Sequence, residues 1–112
     1  MFLPNSNLMS YIHYLTNKQV KMHFVIYAVD REDAGNLRLE TRPSHLEYLK
    51  GVDILYAGPL LDEDSEMCGS LIVVNASNLE EAKEISRNDP YFKAGLFKEV
   101  NVTGYKSAVG PT

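Results

Sequence analysis

CGSLIVVNASNLEEAKEISRNDP, residues 68–90, changes its hydrophobic period once, and that change decides the fold. From Cys68 to Ala76 the chain is rich in β-branched residues and apolar at both odd and even positions, the pattern of a strand covered on both faces. From Leu79 the period lengthens. Leu79, Ala82 and Ile85 or Ser86 share one side, and Glu80, Glu81, Lys83, Glu84 and Arg87 share the other. This predicts an amphipathic helix over 79–88, capped by Ser77 or Asn78 and stopped by Pro90.

Working downstream, Gly95 lets the backbone turn, and Phe97 to Lys106 reads as a last strand with Val100 and Val102 on one side and Asn101 and Thr103 on the other. Upstream, LDEDSE (61–66) is an acidic, hairpin-like connection from a strand over 52–60, VDILYAGPL, closed by Gly58-Pro59. Before it, Leu37, Leu46 and Leu49 fall near helical spacing, but a proline deep in a helix removes a donor and crowds the preceding turn. Pro43 therefore predicts a short turn around Leu37 to Glu40, then a helix with Thr41 as N-cap, Pro43 in its first turn and Gly51 as its stop. HFVIYAV (23–29) is the opening strand, again apolar on both faces, and Asp30 to Gly35 is a polar loop. The order is βαββαβ. That is an α+β, ferredoxin-like arrangement, a four-stranded antiparallel sheet with its helices on one face.

One helical layer covers one sheet face, yet the strands over 23–29 and 68–76 are apolar on both. No further helix remains to cover the second face, so a second copy of the sheet is the economical partner. The expectation is a homodimer formed by sheet-to-sheet packing.

With 112 residues, 45% of them apolar, the chain fits one domain over 22–112, preceded by an N-terminal extension, 1–21, without clear period. Met22 stands where the first strand begins and reads as an alternative first residue, and His13 reads as solvated. A formal charge of −4 and a pI near 5.3 provide no electrostatic footprint for phosphates, so nucleic acid is a poor partner. The lone Cys68 cannot form an internal disulfide and reads as an inert buried thiol, which fits a reducing, cytoplasmic setting. No run of eighteen apolar residues occurs, so no membrane span is expected.

The residues that point to chemistry are His45 and Asp89. Arg42 and His45 are three apart on one side of a helix, a fixed cation beside an imidazole. Asp89 sits at the exit of the other helix, and in this fold both helices lie on the same sheet face. Should they meet, the carboxylate accepts one imidazole N–H and leaves the other nitrogen as a general base. Taken alone, Asp89 is equally a turn residue before proline, and His45 an ordinary helix histidine. Ser70 lacks a GxSxG elbow, and His23 reads as a satisfied sheet residue. Tyr91 is either a core ring or a phenol aimed into a site. The acids of 61–66 lack the calcium-loop pattern. Metal, nucleotide and flavin motifs are absent from the sequence, so no cofactor is expected.

From Met22 to about Lys106 the chain resembles the YciI-like proteins, the YCII-related domain. The resemblance is carried by HFVIYAVD, by Arg38 with Arg42-Pro43-Ser44-His45-Leu46 and Tyr48-Leu49, by Ala57 to Leu60, by Gly69 to Leu71, and by DPYFKAGLF from Asp89 to Phe97. It implies a ferredoxin-like fold dimerising into an α/β barrel. It also implies a His/Asp-centred active site, here His45 and Asp89, with Arg42, Ser70 and Tyr91 as substrate-binding neighbours. The implied chemistry is lyase, dehydrochlorinase or isomerase-like, on a small organic molecule and without a cofactor. A noncatalytic dimeric domain that only holds a small ligand is the alternative. Ser65-Glu66 departs from the family pattern, in which a glycine often follows the acids, and so does the N-terminal extension.

Overall fold

The structure, a computed structural model, describes residues 22–110. The expectations for 1–21, including the solvated His13 and the choice of first residue, lie outside the described residues. Seven elements follow one another: β1 (Met22–Asp30), α1 (Leu37–Leu49), β2 (Ile54–Leu61), β3 (Met67–Ala76), α2 (Leu79–Arg87), a one-turn α3 (Pro90–Lys93) and β4 (Phe97–Tyr105). The strands form one sheet in the order β2-β3-β1-β4, with every neighbouring pair antiparallel. This is the ferredoxin-like α+β architecture.

Strand register divides the sheet into two faces. Phe24 sits opposite Val74, Ile26 opposite Ile72 and Val102, and Ala28 opposite Ser70 and Val100. Phe24, Ile26, Ile72 and Val74 pack with Ala76 and with Ala82 of α2 into the core, each large side chain contributing about 1.5–3 kcal/mol by burial. Val25, Tyr27, Leu71 and Val73 alternate onto the other face, where Tyr27 is 42% and Leu71 37% exposed. Val73 on that face is nonetheless buried, and Ser107 and Val109 of the C-terminal stretch line a cavity together with Val25, Leu71 and Val73.

Helix α2 forms as its sequence predicts. The Asn78 side chain accepts from the Glu81 N–H at 2.8 Å, and the Glu81 carboxylate accepts in return from the Ser77 N–H at 3.2 Å. Helix α1 corrects the two-part reading. It runs unbroken from Leu37 with Pro43 inside it and Asn36 at the N-cap in place of Thr41; its C-cap is Lys50, with Gly51 just beyond the end. The reason is tertiary: buried Arg38 and His45, on either side of the proline, are both anchored to other elements. Pro43 and Leu39 are exposed, so water can reach the Leu39 carbonyl that the proline leaves without its usual donor.

The sequence also left α3 unread. Pro90 does stop α2, but it then occupies the first turn of α3, with Asp89 as that helix's N-cap. Gly95, at φ +74°, turns the chain from α3 toward buried Leu96 and β4. Among the described residues no helix is long and apolar enough to cross a membrane.

Candidate active site

Arg38, Arg42 and His45 lie at positions i, i+4 and i+7 of α1 and so form one stripe on the helix. Opposite them, α3 presents Asp89 and Tyr91, while β3 presents Ser70. Arg38, His45, Ser70, Asp89 and Tyr91 are all buried.

The carboxylate of Asp89 lies 2.8 and 2.9 Å from His45 Nδ1 through its two oxygens. One of those oxygens also accepts the Tyr91 backbone N–H at 2.9 Å, the bond that caps α3. An ionised carboxylate only accepts, so Nδ1 carries the proton and donates it. When the ring is neutral, Nε2 then has no hydrogen, and it has no protein partner among the described residues. The Tyr91 ring stacks on the imidazole at 3.9 Å and 16°, and the edge of Phe97 meets Tyr91 at 6.0 Å.

The Arg38 guanidinium lies 4.6 Å from the Tyr91 ring centre. Asp30 grips it with two hydrogen bonds, 2.7 and 2.8 Å, and Arg38 donates a third to Ser70 Oγ at 3.0 Å. Burial acts to lower the Arg38 pKa, but its hydrogen bond to Asp30 and the charge of that carboxylate more than offset this and hold it above its ordinary value. Burial pushes the Tyr91 phenol up, opposed by the Arg38 and Arg42 charges. Tyr48 lashes α1 to the end of α2 by donating to the Ile85 carbonyl at 2.8 Å, and burial with the nearby Asp89 charge raises its phenol too.

A cavity of about 100 Å³ opens beside this cluster. Arg38, Arg42, His45, Ser70 and Tyr91 make its polar wall, and Leu46, Leu49 and Pro59 are among its apolar residues. Gly69, next to Ser70 in β3, has no room for a side chain: a Cβ there would run into the Ala28 carbonyl and press on Leu60.

The structure thus brings His45, Asp89 and Tyr91 into one contact cluster. Ser70 joins it through Arg38, not through His45. Arg42 is exposed and lines the cavity, and the cation packed into the stack is Arg38, one helical turn earlier. Sequence reasoning missed the role of Arg38 and the whole of Asp30. The 38/42/45 spacing could have revealed the first, had Pro43 not suggested a break between Arg38 and the helix. Cys68 is half-buried rather than fully buried. Asp62, in the acidic connection, accepts from the Asp64 and Glu66 N–H groups and so organises its own turn. Among the described residues no three His, Cys, Asp or Glu side chains gather as a metal site would require.

The sequence model of the YCII-related domain matches residues 22–106. Protein YciI of Escherichia coli O6:H1 is 35% identical over 95 residues, covering 76% of this chain and 97% of that protein. Derivative of benzaldehyde biosynthesis cluster protein C, from Emericella nidulans, is 38% identical over 69 residues, covering 52% of this chain and 70% of that protein. Among solved structures, 5-chloro-2-hydroxyhydroquinone dehydrochlorinase from Burkholderia phenoliruptrix, in complex with 2,5-dihydroxybenzoquinone, superposes with a TM-score of 0.70. It is 34% identical, and the match covers 76% of this chain and 94% of that one.

Proposed function

The chain belongs to the YCII-related domain family, and on that premise we propose that it is a small enzyme that works without a cofactor, using His45 as general acid and base. The observation that carries this reading is the buried Asp89–His45 contact beside a cavity, with Nδ1 committed to the carboxylate and Nε2 left to exchange a proton with a bound molecule. Asp89 fixes the tautomer and stabilises the imidazolium when the ring takes a proton. Arg42 attracts an anionic group of the substrate, while Ser70 and Tyr91 shape and bind at the polar wall.

The reaction class is a proton-shuttling elimination or isomerisation of a small organic molecule. The dehydrochlorinase neighbour, bound to a dihydroxybenzoquinone, and the benzaldehyde-cluster relative support a small oxygenated ring as the first substrate class to try. The unit we propose is a homodimer in the cytoplasm, its two sheets packed through the face that carries Tyr27 and Leu71.

The test is a turnover screen of small halogenated or hydroxylated ring compounds and enolisable carbonyls, followed by His45→Gln. A substrate whose turnover falls by about a hundredfold or more in the variant, with the fold intact, supports the base. Ligands that bind equally well to both proteins, with no turnover by either, would instead make this a noncatalytic binding domain.

A further inference from the structure

Among the polar side chains of the cavity wall, the hydrogen-bonding capacity left open is mostly that of donors. The Tyr91 hydroxyl is sealed from water and makes no hydrogen bond of good geometry among the described residues; the nearby Arg38 guanidinium can only donate toward its oxygen, and the Arg42 charge also reaches it, so the phenol proton has no acceptor. Leaving such a donor unpaired costs about 1–3 kcal/mol, so the position favours an acceptor arriving from outside the chain. Ser70 Oγ accepts from Arg38, which leaves its own proton without an acceptor among the described residues. Arg42 lines the cavity with no ion pair among the described residues, whereas the Arg38 charge is matched by Asp30. The exception is His45 Nε2, an acceptor because Nδ1 is held by Asp89.

These groups sort by role. One wall holds a single proton acceptor, and its neighbours are two hydroxyl donors and a cation. With His45 neutral, the charges of Arg38, Arg42, Asp30 and Asp89 sum to zero. A step that moves a proton from the ligand to Nε2 places a cation on the ring and an anion on the ligand, next to the groups that stabilise each.

We infer that the cavity takes a compact carbon acid, an enolisable carbonyl on a short apolar body, whose oxygen is held by the Tyr91 and Ser70 hydroxyls and by Arg42 as it becomes negative. In that step a C–H bond beside the carbonyl breaks and its proton passes to Nε2. The electron pair forms the C=C bond, and the carbonyl π pair comes to rest on oxygen as an enolate. Nothing is oxidised or reduced. Tyr91 keeps its proton and donates a hydrogen bond only. The apolar wall at Leu46, Leu49 and Pro59 receives the body of the molecule. The identity of the base rests on the reading above, but the donor site does not.

The experiment uses the full chain and a pair of probes of one shape, 4-fluorobenzoate and the neutral 4-fluorobenzamide, followed by fluorine NMR titration. The acid is expected to bind about tenfold or more tightly than the amide, as an anion with charge-assisted donors should. Arg42→Gln, at an exposed position where folding is not at stake, should weaken the acid by about fivefold or more while leaving the amide unchanged, and Tyr91→Phe, which removes a donor to either carbonyl oxygen, should weaken both. Equal affinity for acid and amide, no binding of either, or an acid affinity unmoved by Arg42→Gln would overturn the proposal. If the acid binds as expected and His45→Gln leaves turnover intact, the oxyanion site stands and the base assignment falls.

Discussion

Asp89 serves two partners through one carboxylate: it receives the His45 Nδ1 proton and caps α3 through the Tyr91 N–H. Both donors are buried, so Asp89→Ala should destabilise the protein by about 2–4 kcal/mol in denaturant titration, combining an unpaired imidazole with a lost cap. A loss below about 1 kcal/mol would mean that water replaces the carboxylate at no penalty. Tyr91 has its own signature. Burial raises its phenol above the unfolded chain's 10.0, so the folded state holds that proton longer than the unfolded state does. Stability from this source is complete below about pH 10 and falls as pH rises further. Tyr91→Phe should lose less stability than the wild type between neutral and strongly alkaline pH, as measured by denaturation midpoints.

At the level of elements, α1 and α3 show what the sequence could and could not reveal. Strands announce themselves by β-branched runs, and α2 by a clean amphipathic stripe between a cap and a proline. In α1, local chemistry predicts a break at Pro43, but anchors on both sides of it, Arg38 to Asp30 and His45 to Asp89, hold one continuous helix. His45 and Asp89 were legible as a pair because each stands at a helix position that this topology turns toward the other. Asp30 was not, since nothing in a strand's last residue says that an arginine eight positions on will fold back onto it. Ser65 occupies the left-handed region at φ 63°, where a glycine would be unstrained. Ser65→Gly should therefore raise stability by up to about 1 kcal/mol in thermal or denaturant unfolding, the strain relieved less the added backbone entropy. Gly69→Ala should do the reverse, by about 1–3 kcal/mol or more, because β1 must give way before a Cβ can fit against the Ala28 carbonyl.

For the whole molecule, the second sheet face is the one through which we propose that the homodimer forms. The exposed apolar side chains there, Tyr27 and Leu71 on the two central strands with Tyr56 and Tyr105 beside them, are the surface that the proposed second copy would bury. Light scattering at micromolar concentration should give twice the mass of one chain, and Leu71→Glu should return it to one. A wild-type monomer would remove the dimer from the proposal. Beneath the assembly lies the claim on which the catalytic reading stands, that Asp89 holds the His45 proton on Nδ1 and leaves Nε2 bare. Long-range proton–nitrogen correlation NMR of the His45 ring, at a pH high enough to keep it uncharged, reads this directly. The prediction is a protonated Nδ1 and an Nε2 with the shift of an imine nitrogen, a pattern that Asp89→Ala relaxes to the ordinary mixture of tautomers. A neutral ring with its proton on Nε2 would mean that Asp89 does not orient His45, and that the nitrogen free to meet a ligand is no base.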